Sequence, residues 1–138
     1  MTTLPTHTQD DLLAAAREVC QKAYAPYSRY YVGAAVLTEA GHIYQGCNVE
    51  NVSYGLCVCA ERNAIAQAIV EEGSSMKLKA IAVVNGDETT CTPCGACRQV
   101  IAEFGSHAMV IYRSDNGWSQ TPAYTFLPGA FEFAKEKA

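Results

Sequence analysis

"KAIAVV", residues 79–84, is the stretch on which the fold turns. From Ala80 to Val84 every position is apolar. A strand with one wet face alternates apolar and polar residues, so an unbroken run predicts a strand covered on both faces. "AMVIY", residues 108–112, repeats the pattern. Between them lies "CGACRQVIAEFG", residues 94–105, in which Cys97, Ile101 and Phe104 share one helical face and Gly105 marks the end. A strand–helix–strand unit favours parallel neighbours.

Working outward, "YYVGAAVLTEAGHIYQGCNV", residues 30–49, reads as an antiparallel hairpin turning at Glu39–Gly41. Ahead of it, Thr8 is placed to cap a helix running to about Ala23, with Asp10 and Asp11 in its first turn, and Pro26 ends it. The helix after Cys59 sets Ile65, Ala68 and Ile69 on one face and stops at Gly73. "RSDNGWSQ", residues 113–120, predicts a turn at Asn116-Gly117 leading to a last strand near Tyr124. "LPGAFEFAKEKA", residues 127–138, is expected to close the chain as a short helix. The expected architecture is an α/β fold: three α-β-α layers around a mixed five-stranded sheet, as one domain over residues 1–138.

Composition narrows the function. The net charge is −4 and the ten Lys and Arg residues are scattered, which argues against long nucleic acid or an anionic membrane surface as partner. Charged residues make up only 17%, below the usual ~25%, and hint that surface is buried against copies of the chain. The cysteines number seven, an odd count, and the first twenty residues lack the basic and apolar regions of a secretory signal. No apolar run approaches the ~20 residues of a spanning helix. The expectation is a cytoplasmic protein whose thiols are reduced or metal-bound.

"LCVCAERNAIAQ", residues 56–67, carries the first part of the chemistry. Cys59 and Glu61 are two apart, and inside a helix they would point to nearly opposite sides. They can act together only if Cys59 sits at or before the helix cap. In "CTPCGACRQ", residues 91–99, Cys94 and Cys97 are three apart at another helix start, so their sulfurs share a face. Helix N-termini favour thiolate over thiol, and thiolates bind zinc. Three cysteines fill three tetrahedral positions and leave the fourth for water, as in catalytic sites. Two alternatives stand beside this reading: buried cysteines without metal, or a structural zinc recruiting Cys57 or Cys91. Cys57-x-Cys59 is a poor chelate, because alternating strand residues face opposite ways. Glu61 favours catalysis, since a zinc-activated water needs a proton acceptor and a structural site does not. Arg62 beside the sulfurs would withdraw the excess negative charge of three thiolates. The remaining cysteines, Cys20, Cys47, Cys57 and Cys91, read as small buried hydrophobes.

"CAE" followed by "PCGAC" resembles the signature of the zinc-dependent nucleoside and nucleobase deaminases. "AYAPYS", "VGAA", "GCNVEN", "CAER", "PCGACRQ" and "LPGAF" run in order from residue 23 to 131, and together they look like the small homotetrameric cytidine deaminases. None of His7, His42 or His107 is followed by x-Glu, so Cys59 stands as first ligand. The resemblance implies one Zn²⁺ per subunit on Cys59, Cys94 and Cys97. It implies a zinc-activated water attacking C4 of cytosine, with Glu61 carrying protons and the Ala60 N–H supporting the base. It places Asn48 and Glu50 on the ribose 3′-OH and Tyr30, in place of a frequent phenylalanine, against the base. Tyr54 and Phe131 are expected to reach sites across subunit interfaces, giving a homotetramer with shared sites. "YTFLPGAF" departs from the acidic run usual before "LPGAF". The alternatives are a zinc-stabilised non-catalytic module, or a related deaminase acting on another cytosine-containing small molecule.

Overall fold

The structure, a computed structural model, describes residues 3–133. Its elements follow the order α1 (Thr6–Cys20), β1 (Val32–Thr38), β2 (Ile43–Cys47), α2 (Ala60–Glu72), β3 (Leu78–Asn85), α3 (Gly95–Gly105), β4 (Met109–Ser114), β5 (Gly117–Pro122) and α4 (Ala123–Phe126). A single 3₁₀ turn, Tyr54–Leu56, precedes α2. The strands form one sheet in the order β2-β1-β3-β4-β5. Only β3 and β4 pair in parallel; the other neighbours are antiparallel.

The run in β3 is apolar because the sheet has a core on each side. Ala80, Ala82 and Val84 join Leu12, Leu13, Ala16 and Cys20 of α1, with Ala35, Leu37 and Ile111. Ile81 and Val83 face the other way, against Ala64, Ile65 and Ala68 of α2 and Ile101 of α3. Burying a side chain such as Ile81 contributes about 1.5–3 kcal/mol, so both faces stabilise the same strand.

Two close approaches hold the layers. A methyl group on Gly46 would overlap the backbone of Ala60 and Ala64, coming within 2.6 Å of the Ala60 carbonyl oxygen. On the opposite face, Gly33 lies against the backbone of α1 at Ala16 and Cys20. Strands β2, β3 and β4 all run in the same direction, so α2 and α3, which follow β2 and β3, start at the same end of the sheet. That end is where ligands collect in open α/β folds.

Several local expectations are corrected. Helix α1 begins two residues before Thr8, with Pro5 at its N-cap; the Pro5 carbonyl accepts from the N–H groups of Thr8 and Gln9 at 3.1 Å. It ends at Cys20, where the N–H groups of Gln21, Lys22 and Ala23 tighten onto carbonyls three residues back. The last hairpin turns at Asp115-Asn116, because Ser114 pairs with Gly117, whose φ of 104° meets the left-handed requirement. Strand β5 then ends at Pro122, and Tyr124 lies in α4. Residues 127–133 form no helix, and the rest of the expected terminal helix lies outside the described residues.

Candidate active site

Cys59 is the N-cap of α2 and Cys94 the N-cap of α3, both in extended conformation. Their side chains therefore turn over the helix ends rather than along the helices, which resolves the awkward two-residue spacing from Glu61. Neither cap side chain accepts from a backbone N–H of its own helix, which leaves both sulfurs free for other partners. Cys97, one turn into α3, is fully buried. The three sulfurs lie within 4.8 Å of one another, and the Sγ atoms of Cys59 and Cys94 are 3.7 Å apart. Thiolates bound tetrahedrally to zinc at ~2.3 Å stand ~3.8 Å apart, so the donor set fits the ion in kind and in spacing.

Electrostatics agree. Hydrogen bonding with Cys97, helped by the Arg62 guanidinium, brings the Cys59 thiol down to about 5. The Cys97 thiol is pushed up, because it holds its proton against the Cys59 thiolate. Thiols this close cannot all ionise unless a cation stands among them. Arg62 Nη2 donates to Cys59 Sγ at 3.4 Å, the contact expected for drawing charge off the cluster. The candidate fourth ligands are occupied elsewhere. Cys57 Sγ accepts from the Asn51 N–H at 3.3 Å, and Cys91 Sγ accepts from the Tyr30 hydroxyl at 3.5 Å. Among the described residues, Cys59, Cys94 and Cys97 are the one such cluster. Of the four cysteines read as buried hydrophobes, Cys20 and Cys91 are buried, while Cys47 and Cys57 are partly exposed.

Beside the cluster is a pocket of about 160 Å³ lined by Tyr30, Val32, Asn48, Ala60, Glu61 and Cys91, among others. Larger hollows elsewhere, such as that between Leu4, Lys79 and Phe104, bring no comparable reactive groups together. Glu61 is only 4% exposed. Burial pushes its carboxyl up to about 7, with the Cys59 thiolate adding to the rise. A carboxyl poised near neutrality in a pocket can both take and return a proton.

Residues 6–113 match the family model described as the cytidine and deoxycytidylate deaminase zinc-binding region. The cytidine deaminase of Sporosarcina psychrophila is 44% identical over 124 residues, spanning 88% of this chain and 90% of that protein. The chain belongs to the cytidine deaminase family. The crystal structure of cytidine deaminase from Burkholderia pseudomallei superposes with a TM-score of 0.81 at 43% identity, over 93% of this chain and 100% of that one. That from Mycobacterium tuberculosis gives 0.81 at 38%, over 91% and 98%. The α-β-α fold with its mixed five-stranded sheet is thus that of cytidine deaminases, and this chain is a zinc-dependent hydrolase of that family with a three-cysteine metal site.

The other expected residues of this deaminase fall in two groups. Asn48 accepts from the Val32 N–H at 2.9 Å and donates to the Tyr30 carbonyl at 2.8 Å, pinning the segment before β1 to the pocket wall. Glu50 accepts from the N–H groups of Tyr27 and Ser28 at 3.0 and 3.2 Å and from the Ser28 hydroxyl. The Ser28 hydroxyl holds the Glu50 carboxyl below the usual range. Tyr54 and Phe131 line no part of the pocket and are 73% and 70% exposed. The sequence reading missed Ser28 and Asn85. Asn85 is buried at the end of β3 and donates to the Tyr30 hydroxyl at 3.2 Å. Nothing in the sequence marks it, because its partners are brought to it by the fold.

Proposed function

We propose that the chain hydrolyses cytidine and 2′-deoxycytidine to uridine and 2′-deoxyuridine with release of ammonia, as a step of pyrimidine salvage. The observation that carries this reading is the buried Glu61 carboxyl in the pocket beside the three sulfurs. Cys59, Cys94 and Cys97 would hold the zinc, which would supply the Lewis acidity that makes water a nucleophile at neutral pH. Glu61 takes a proton from the attacking water as its oxygen bonds to C4, and gives it to N3. Glu61 then carries the second proton to the departing amine, so ammonia leaves and the C4 oxygen becomes a carbonyl. The Ala60 N–H, free of an intrahelical partner in the first turn of α2, donates to the edge of the base. Tyr30 walls the ring.

The pocket takes a pyrimidine and leaves the ribose towards Asn48 and Glu50. The Asn48 amide, with one N–H and one lone pair still unused, and the Glu50 carboxylate receive the 3′-OH. Tyr54 and Phe131, exposed here, serve neighbouring pockets in a homotetramer. Such assembly would also cover Val52 and Leu56 on the loop before α2, both exposed in the single chain. Among the described residues no helix is long and apolar enough to cross a membrane. The free cysteines and the scattered basic residues support a cytoplasmic enzyme acting on free nucleosides, within one domain, rather than on nucleic acid or an anionic membrane surface. Loss of cytidine absorbance on mixing with zinc-replete protein tests the reading, with light scattering for the tetramer. A zinc-replete tetramer inert towards cytidine and deoxycytidine would overturn it in favour of a non-catalytic zinc module.

A further inference from the structure

After Cys97, the "CRQ" of α3 continues with two side chains to which the chemistry above gives no task. Arg98 Nε donates to the Pro93 carbonyl at 2.7 Å, and Nη1 to the Phe126 carbonyl at 3.2 Å. Its guanidinium also lies 4.8 Å from the Phe126 ring centre. Arg98 thereby ties the loop entering Cys94 to the root of the tail. Gln99 does something more specific. Its Nε2 donates to the Phe131 carbonyl at 3.0 Å, and its Oε1 accepts from the Phe131 N–H at 3.3 Å. One amide thus takes both polar backbone atoms of a single residue, as a neighbouring strand would.

The held residue lies in a tail segment with no helix or ladder of its own, and it is 70% exposed, its ring meeting that of Phe133 edge-on at 5.6 Å. Fixing the Phe131 backbone on both sides restricts the direction in which its ring projects, and Gln99, which fixes it, lies two positions after the metal ligand Cys97. We infer that Gln99 is a positioning residue, which presents Phe131 to the pocket of a neighbouring subunit and couples that presentation to the helix bearing Cys97. This rests on the reading that Phe131 serves a neighbouring site.

Kinetics of Gln99→Ala, Phe131→Ala and the double variant, each with zinc content and tetramer mass measured, test it. Two neutral hydrogen bonds together contribute roughly a factor of ten. Gln99→Ala should retain zinc and tetramer and raise KM for cytidine about tenfold, with kcat within about twofold. In the Phe131→Ala background the same change should have no further effect. Gln99→Glu, which keeps the acceptor for the Phe131 N–H, should fall between Gln99→Ala and the unmodified enzyme. A multiplicative double variant, or loss of zinc on Gln99→Ala, would overturn the inference while leaving the reading of Phe131 standing. An unchanged KM in Phe131→Ala would instead overturn the reading on which it rests.

Discussion

Asn85 and Tyr30 meet across the pocket wall, with the Asn85 amide 3.2 Å from the Tyr30 hydroxyl. The hydroxyl that a phenylalanine would lack is thus supplied with a donor, and it donates in turn to Cys91. Asn85 also exchanges hydrogen bonds with Thr89 at 2.8 and 3.0 Å, closing the start of the loop that leads to Cys94. Asn85→Ala should destabilise the protein by about 1–3 kcal/mol through the lost buried bonds and hasten zinc loss to a chelator. Tyr30→Phe should cost only about 0.5–1.5 kcal/mol, because Asn85 keeps Thr89. Thermal unfolding and chelator-release kinetics check both, and equal zinc release in Asn85→Ala and unmodified protein would contradict the assignment.

What the sequence made legible, and what it did not, divides along contact range. The apolar run of β3 announced two covered faces, and cysteines at helix starts announced a metal, because both signals lie within a few residues. The start of α1 is not legible locally, because Thr8 is a better capping residue than Pro5, yet the backbone carbonyl of Pro5 serves without a side chain. The Asn85–Tyr30 and Gln99–Phe131 pairs are 55 and 32 residues apart, and no local pattern anticipates either.

Gly46 has no side chain because α2 packs on its Cα. In Gly46→Ala the methyl group meets backbone atoms of Ala60 and Ala64, which cannot rotate aside. The expected cost is about 1–3 kcal/mol or more, read as a fall in unfolding temperature of several degrees. Since α2 begins at the metal site, activity should fall with stability. A variant as stable as the parent would show that β2 and α2 are not in contact as described.

Cys94→Ala removes one of three sulfurs and should abolish both stoichiometric zinc and deamination. Metal analysis of the purified variant, with circular dichroism to establish folding, decides this. Zinc retained at one per chain would require a different ligand set.

Glu61→Gln should keep zinc and fold, since the amide matches the carboxyl in shape and burying it removes a titratable group. Turnover should fall by about 10²–10⁴, the range for one general acid–base group. Near-normal kcat in zinc-replete protein would remove Glu61 from the proton transfers.

The role proposed for Glu50 is to read the sugar. A carboxylate accepting from the ribose 3′-OH requires a donor there, whereas an internal nucleotide offers a phosphodiester whose charge would face the carboxylate. Bringing two like charges together while stripping their water is unfavourable, so free cytidine should react and cytosine within an oligonucleotide should not. The hydrogen bond from Ser28 holds the Glu50 carboxyl below the usual range, so its ionised form is present above that depressed value and is lost only as pH falls through it. Between pH 5 and 8 this discrimination should therefore be independent of pH. Glu50→Gln should lower kcat/KM for cytidine roughly 10–150-fold, the worth of a hydrogen bond to a charged group, and relax the exclusion of a 3′-phosphate. Kinetics on cytidine and the 3′-methyl phosphodiester of cytidine, whose single charge does not change across that pH range, decide the matter, and equal rates on both by the unmodified enzyme would refute the role given to Glu50.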